Sequence, residues 1–151
     1  MIRSVGVHRL IGGAVAALII CSIAVMGAQA EKTIWDGVYT EEQATRGRQV
    51  YTAQCSQCHG DALGGVESAP ALTGTTFYSN WEGETLNALF ERMRSSMPQN
   101  APGSLSRLQN AELLAYILQT GGYPSGSTTL EGQAATLLRI TIRTYKPKGG
   151  A

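Results

Sequence analysis

Cys55-Ser56-Gln57-Cys58-His59 is the stretch on which the reading of this chain turns. Two thiols three positions apart, with a histidine next in line, fit attachment of a c-type haem. Each thiol is able to form a thioether to one vinyl group of the macrocycle, and the two bonds fix the haem against the chain. The adjacent imidazole then lies under the iron as its proximal ligand. Other readings of the same residues fit less well. A thioredoxin-like pair needs a βαβ context, and none is visible. A structural zinc site needs four ligands, whereas beyond residue 30 the chain offers two Cys and one His. A plain disulfide leaves the histidine unexplained. His59 is the only histidine after residue 30. Its second ring N–H needs an acceptor to fix the ring plane, and a carbonyl from the loop around Pro70 is expected to supply it.

Residues 1–30 read as a secretory signal peptide rather than as fold. Arg3 and Arg9 form a basic start, Leu10 to Ala30 is uncharged, and Ala28-Gln29-Ala30 puts small residues where a signal peptidase reads. An uncleaved anchor is the alternative, because an uncharged stretch of 21 residues is long enough to span a bilayer. Gly12, Gly13, Ser22 and the Ala-Gln-Ala site favour cleavage. Cys21 follows Ile20, which is not the small residue a lipoprotein site needs. Both readings place the remainder outside the cytoplasm, with the periplasm as the expected location and membrane contact only if the leader is uncleaved.

The chain has 151 residues, of which 43% are apolar and 15% charged. That length suits one domain, and the apolar share suffices for one core. It excludes a disordered charged chain. A formal net charge of +1 gives no reason to expect nucleic acid, which needs clustered positive charge.

Around the motif the pattern is helical. Thr40-Glu41-Glu42-Gln43 matches a capping box, and Ala44, Gly47 and Tyr51 recur behind it at helical spacing, predicting a helix to about Gln54. Gly60, Gly64, Gly65, Pro70 and Gly74 mark a long loop. A second helix is predicted from about Gly83 to Ser96, with Leu86, Leu89, Phe90 and Met93 on one face. Ser106-Arg107-Leu108-Gln109 is another capping box, opening a third helix that Gly121-Gly122 ends.

The iron's sixth ligand is sought downstream, where only Met93 and Met97 remain. Met93 belongs to the apolar stripe of its helix and reads as core packing. Met97 falls past the last turn, and the following Pro98 restricts it to extended backbone, which helps hold a side chain projecting from a loop. Met97 is therefore the preferred ligand.

Residues 31–126 carry six basic and ten acidic residues, whereas residues 127–151 carry Arg139, Arg143, Lys146 and Lys148 against Glu131. Leu130 to Leu138 has room for a short helix, and Leu138 to Tyr145 alternates like a strand or edge-pairing segment. The tail reads either as a solvated extension packing loosely on the domain or as a docking arm for a partner.

Together these features resemble a class I monohaem cytochrome c over most of residues 40–126. In that family a Gly and an aromatic on the N-terminal helix pack against a Leu and an aromatic on the C-terminal helix. Gly47 with Tyr51, and Leu113 with Tyr116, match those pairs. Ser68-Ala69-Pro70-Ala71-Leu72 looks like the family's haem-loop proline segment, Met97-Pro98 like its ligand loop, and Trp81 like the aromatic that often lies near a haem propionate. The stretches Asn80-Trp81 through Pro102-Gly103-Ser104-Leu105 and Ala115-Tyr116-Ile117-Leu118 look most like cytochrome subunits serving periplasmic quinoprotein dehydrogenases. The resemblance implies an all-α cytochrome c fold, with three to five helices around one covalently attached haem c and a C-terminal extension. The expected domains are a leader over 1–30, a cytochrome domain over 31–126 and a basic extension over 127–151. Cys55, Cys58, His59 and Met97 would bind the cofactor, the last two as iron ligands. The implied role is an electron carrier without catalytic residues, moving single electrons from a dehydrogenase, quinoprotein or otherwise, to a respiratory acceptor. A haem enzyme or gas sensor with a displaceable Met97 is the alternative.

Overall fold

The computed structural model describes residues 31–67 and 69–148, so the leader and Cys21 lie outside the described residues. From Glu31 onward the chain forms one compact unit. Its element order is β1 (Lys32–Thr33), α1 (Glu41–Gln54), α2 (Ser56–His59), α3 (Gly74–Ser79), α4 (Leu86–Ser96), α5 (Arg107–Thr120), α6 (Ala134–Leu137) and β2 (Ile140–Thr141). No helix among the described residues is long and apolar enough to cross a membrane.

Helix α1 starts where its cap demands. Thr40 is extended, and its hydroxyl accepts the Gln43 N–H at 3.2 Å. Glu41 and Glu42 put negative charge at the positive end of the helix dipole. The reciprocal half of the expected capping box is absent. Gln43 is fully buried, and its amide instead exchanges two hydrogen bonds of 2.8 Å with the backbone of Leu130. Helix α5 does form the full box: the Gln109 N–H donates to Ser106 Oγ at 3.2 Å, and the Ser106 N–H donates to Gln109 Oε1 at 2.9 Å.

Helices α1 and α5 make the main helix–helix contact. A Cβ on Gly47 would fall on the Glu112 backbone carbonyl and crowd Tyr116, so only glycine permits this approach. Above the crossing, the Tyr51 and Tyr116 rings lie 5.4 Å apart. Leu113, Leu114, Ala115, Ile117 and Leu118 are all buried, which makes α5 the central element of the core.

Helix α4 begins later than the periodicity suggests. Thr85 caps it by accepting the Ala88 N–H at 3.3 Å, while Gly83, at φ 82, turns the chain before it. Leu86, Leu89, Phe90 and Met93 are buried as one face. Helix α3 was not expected. Its Thr-Thr-Phe-Tyr sequence is a poor helix former, yet Phe77 and Tyr78 are buried and the Tyr78 hydroxyl donates to the Ile117 carbonyl at 2.7 Å. Tertiary burial overrides local propensity there.

The tail corrects the expectation of a loosely packed, solvated extension. Leu130, Leu137, Ile140 and Ile142 are buried in the core. Strand β2 pairs in parallel with β1, Lys32 opposite Ile140 and Thr33 opposite Thr141. On its other side the Gly83 N–H donates to the Ile142 carbonyl, and the Ile142 N–H to the Glu84 carbonyl, both at 2.9 Å. The Trp35 indole N–H reaches the Arg143 carbonyl at 2.9 Å. The alternating apolar residues of this segment therefore close the core beside α4 instead of standing in solvent.

Candidate haem-binding site

Cys55, Cys58 and His59 sit together on one turn. The Cys55 N–H closes α1 on the Tyr51 carbonyl at 2.8 Å. The next turn hangs on the Cys55 carbonyl, which accepts from Cys58 at 3.1 Å and from His59 at 2.9 Å. Both cysteines are free thiols, Cys55 half-buried and Cys58 exposed. Burial, with the neighbouring Cys58 adding to it, pushes the Cys55 thiol up to about 11.

His59 is buried, and its Nδ1 lies 2.7 Å from the Pro70 carbonyl. That carbonyl is an acceptor only, so Nδ1 carries the proton and Nε2 is the nitrogen left to bind a metal. The acceptor arrives through a tightly folded loop. The Gly65 N–H donates to the His59 carbonyl at 2.9 Å, and the Leu72 N–H to the Leu63 carbonyl at 2.8 Å. Leu63 holds φ 58 without being glycine, a conformation kept by its complete burial. A Cβ on Gly65 would lie 2.5 Å from Ala71 N and 2.8 Å from the Pro70 carbonyl carbon. The two limbs of the loop thus meet at a glycine, which brings Pro70 back over His59.

Tyr51 was expected only as a packing partner of α5, and sequence reasoning missed its second role. Its hydroxyl donates to the Gly60 carbonyl at 2.5 Å. Burial first, then the neighbouring Cys55 and Tyr116, pushes the phenol up to about 12, so it stays protonated. Nothing in the local sequence signals this bond.

The two methionines sit in different surroundings. Met93 is buried in the α4 face. Met97 is the half-buried C-cap of α4, with extended backbone at φ −124, ψ 153, ahead of a cis peptide to Pro98. Half-buried Leu72, Trp81 and Leu105 pack against the core from the segments that flank Pro70 and Met97.

These residues fit a c-type haem. The donor set is a neutral imidazole with one free nitrogen, two free thiols on the same turn, and a thioether on a separate loop. Half-covered apolar side chains in the adjoining segments suit an apolar macrocycle. Among the described residues no group of three or more His, Cys, Asp or Glu is placed to hold a metal ion.

Comparison with known proteins agrees with this reading. Residues 42–117 match the family model described as cytochrome C oxidase, cbb3-type, subunit III. No curated protein matches the chain. Among solved structures, the chain is similar in fold to the sulfane dehydrogenase SoxCD from Paracoccus pantotrophus, with a TM-score of 0.50 and 18% identity. That alignment covers 72% of this chain and 61% of the SoxCD chain, so the protein spans less than two thirds of that relative. The helical architecture is that of a cytochrome c fold. With its Cys-x-x-Cys-His turn inside the matched segment, the chain belongs to the cbb3-type cytochrome c oxidase subunit III family of c-type cytochromes.

Proposed function

We propose that this protein carries single electrons between a dehydrogenase and a respiratory acceptor in the periplasm. It would do so with one haem c joined to Cys55 and Cys58, the iron held by His59 and Met97. The observation that carries the reading is the His59–Pro70 contact of 2.7 Å directly after two free cysteines. It leaves one oriented imidazole nitrogen free beside the two thiols, and that nitrogen would hold the iron. Bound there, the haem supplies a one-electron Fe(III)/Fe(II) couple.

The protein's own residues do the rest. The loop from Gly60 to Leu72 holds the imidazole plane. Met97, from the end of α4, would supply the second protein ligand and so leave no coordination site for oxygen or peroxide. Held by both His59 and Met97, the iron would keep the same coordination in both oxidation states, which favours electron transfer over ligand chemistry. Transfer would occur in brief contacts, and such interfaces are typically small. A dehydrogenase as donor rests on the resemblance to dehydrogenase cytochrome subunits, and is in keeping with SoxCD being a sulfane dehydrogenase. Periplasmic location rests on the leader pattern of residues 1–30.

The test is mass spectrometry and acid-acetone extraction of protein exported in a haem-maturing host. Covalent haem on the peptide that contains Cys55 and Cys58, retained in acid acetone, is the expected result. Colourless protein, or pigment that washes out, overturns the reading. Exposure of the reduced protein to carbon monoxide separates carrier from sensor: ready binding without denaturation would favour the sensor.

A further inference from the structure

We infer that Tyr51 is a positioning residue for the haem iron, acting through its hydroxyl on the loop that orients His59. The inference rests on the haem-binding reading above.

The hydroxyl sits at the head of a connected set of hydrogen bonds. It donates to the Gly60 carbonyl at 2.5 Å, and that carbonyl also accepts the Leu63 N–H at 3.2 Å. The Leu63 carbonyl accepts from Leu72 at 2.8 Å, and between them Pro70 offers its carbonyl to His59 at 2.7 Å. The His59 carbonyl is itself held by Gly65 at 2.9 Å. Each bond fixes the next limb of the loop, and Tyr51 is the point where the set is tied to α1. Tyr51 and Leu63 are both buried, at 1% and 0% exposure, and the half-buried Gly60 carbonyl lies at the edge of that core.

The Tyr51 ring and its hydroxyl have separable tasks. The ring packs on Tyr116 across the α1–α5 crossing. The hydroxyl points to the other end of α1, onto the first residue after the Cys-x-x-Cys-His turn. Removing the hydroxyl alone leaves the Gly60 carbonyl with only the longer Leu63 N–H bond and loosens the loop that carries Pro70. The His59 N–H then donates less firmly. A histidine whose second nitrogen donates a strong hydrogen bond is a more basic ligand, and a more basic ligand favours Fe(III). Loss of the hydroxyl therefore shifts the couple toward Fe(II).

The experiment compares Tyr51→Phe with Tyr116→Phe, both as haem-loaded protein. At a fixed solution potential, Tyr51→Phe is expected to raise the reduced-to-oxidised ratio roughly two- to tenfold, as one weakened hydrogen bond would. Exchange of the His59 ring N–H in the reduced protein, read by NMR, is expected to quicken in the same variant. Tyr116→Phe, whose ring contact survives, is expected to change neither. A Tyr51→Phe haemoprotein whose ratio and ring exchange both equal the wild type overturns the inference. Absence of covalent haem in the wild type itself would instead overturn the haem reading. Should Tyr51→Phe yield too little haemoprotein, the wild type still decides. The Tyr51 hydroxyl and His59 ring protons are then expected to exchange through one common opening, at rates that respond alike to denaturant. Independent responses sink the proposal.

Discussion

Gln43 and Leu130 exchange two hydrogen bonds of 2.8 Å across 87 positions of chain, the amide of one side chain satisfying both backbone groups of the other residue. The pair ties the first helix to the tail inside the core, with Gln43 at 0% and Leu130 at 2% exposure. A residue that reads as half of a helix cap is in fact a tertiary clamp.

Gln43→Ala leaves a buried N–H and a buried carbonyl on Leu130 without partners. Each such loss costs about 1–3 kcal/mol, so the variant is expected to lose about 2–6 kcal/mol of stability. Denaturant unfolding of the haem-loaded protein measures it. A loss below about 0.5 kcal/mol, the range of an ordinary surface substitution, would show that the clamp is dispensable.

Gly47→Ala forces a methyl group onto the Glu112 carbonyl at the α1–α5 crossing. The obstacle is backbone, which moves only if two helices separate. Overpacking of this kind costs about 1–3 kcal/mol or more, with a visible drop in thermal midpoint. Helix propensity acts in the opposite direction, since Ala is the better helix former, so unchanged or raised stability would show that the crossing tolerates a methyl group.

Met97→Ala and Met93→Ala separate ligand from core. Removing Met97 is expected to lower the reduction potential and open the iron to added carbon monoxide, with little change in stability. Removing Met93, buried among Leu86, Leu89 and Phe90, is expected to cost about 2–5 kcal/mol and leave the spectrum unchanged. Reversal of the two outcomes would exchange their roles.

Alkaline pH acts through the buried phenols. Burial, with Glu41 adding to it, pushes Tyr39 up to about 12, and burial foremost raises Tyr78 further. A raised folded pKa favours the neutral form, so this contribution is complete below about pH 10, the ordinary tyrosine value. It is lost as pH rises toward and past 12. Unfolding midpoints measured from pH 8 to 12 are therefore expected to hold level and then fall. Tyr39→Phe should flatten the fall by removing one proton released on unfolding. An equally steep decline in the variant would assign the alkaline transition to other groups.

Where a signal lies within a few residues, the amino-acid sequence determined it. The Cys55–His59 turn, the caps at Thr40 and Ser106, the stripe from Leu86 to Met93 and the extended backbone at Met97 all follow from spacing, cap chemistry and the steric rule for residues before proline. The need of His59 for a carbonyl partner was legible too, because a metal-binding imidazole requires one. Tertiary structure alone decided that Gln43 clamps Leu130, that the tail pairs with Lys32–Thr33, that a poor helix former becomes α3, and that the Tyr51 hydroxyl reaches Gly60. Periodicity states which face of an element is apolar, but not which distant backbone group will be left wanting a donor or an acceptor once that face is buried. That demand exists only after the chain has closed on itself.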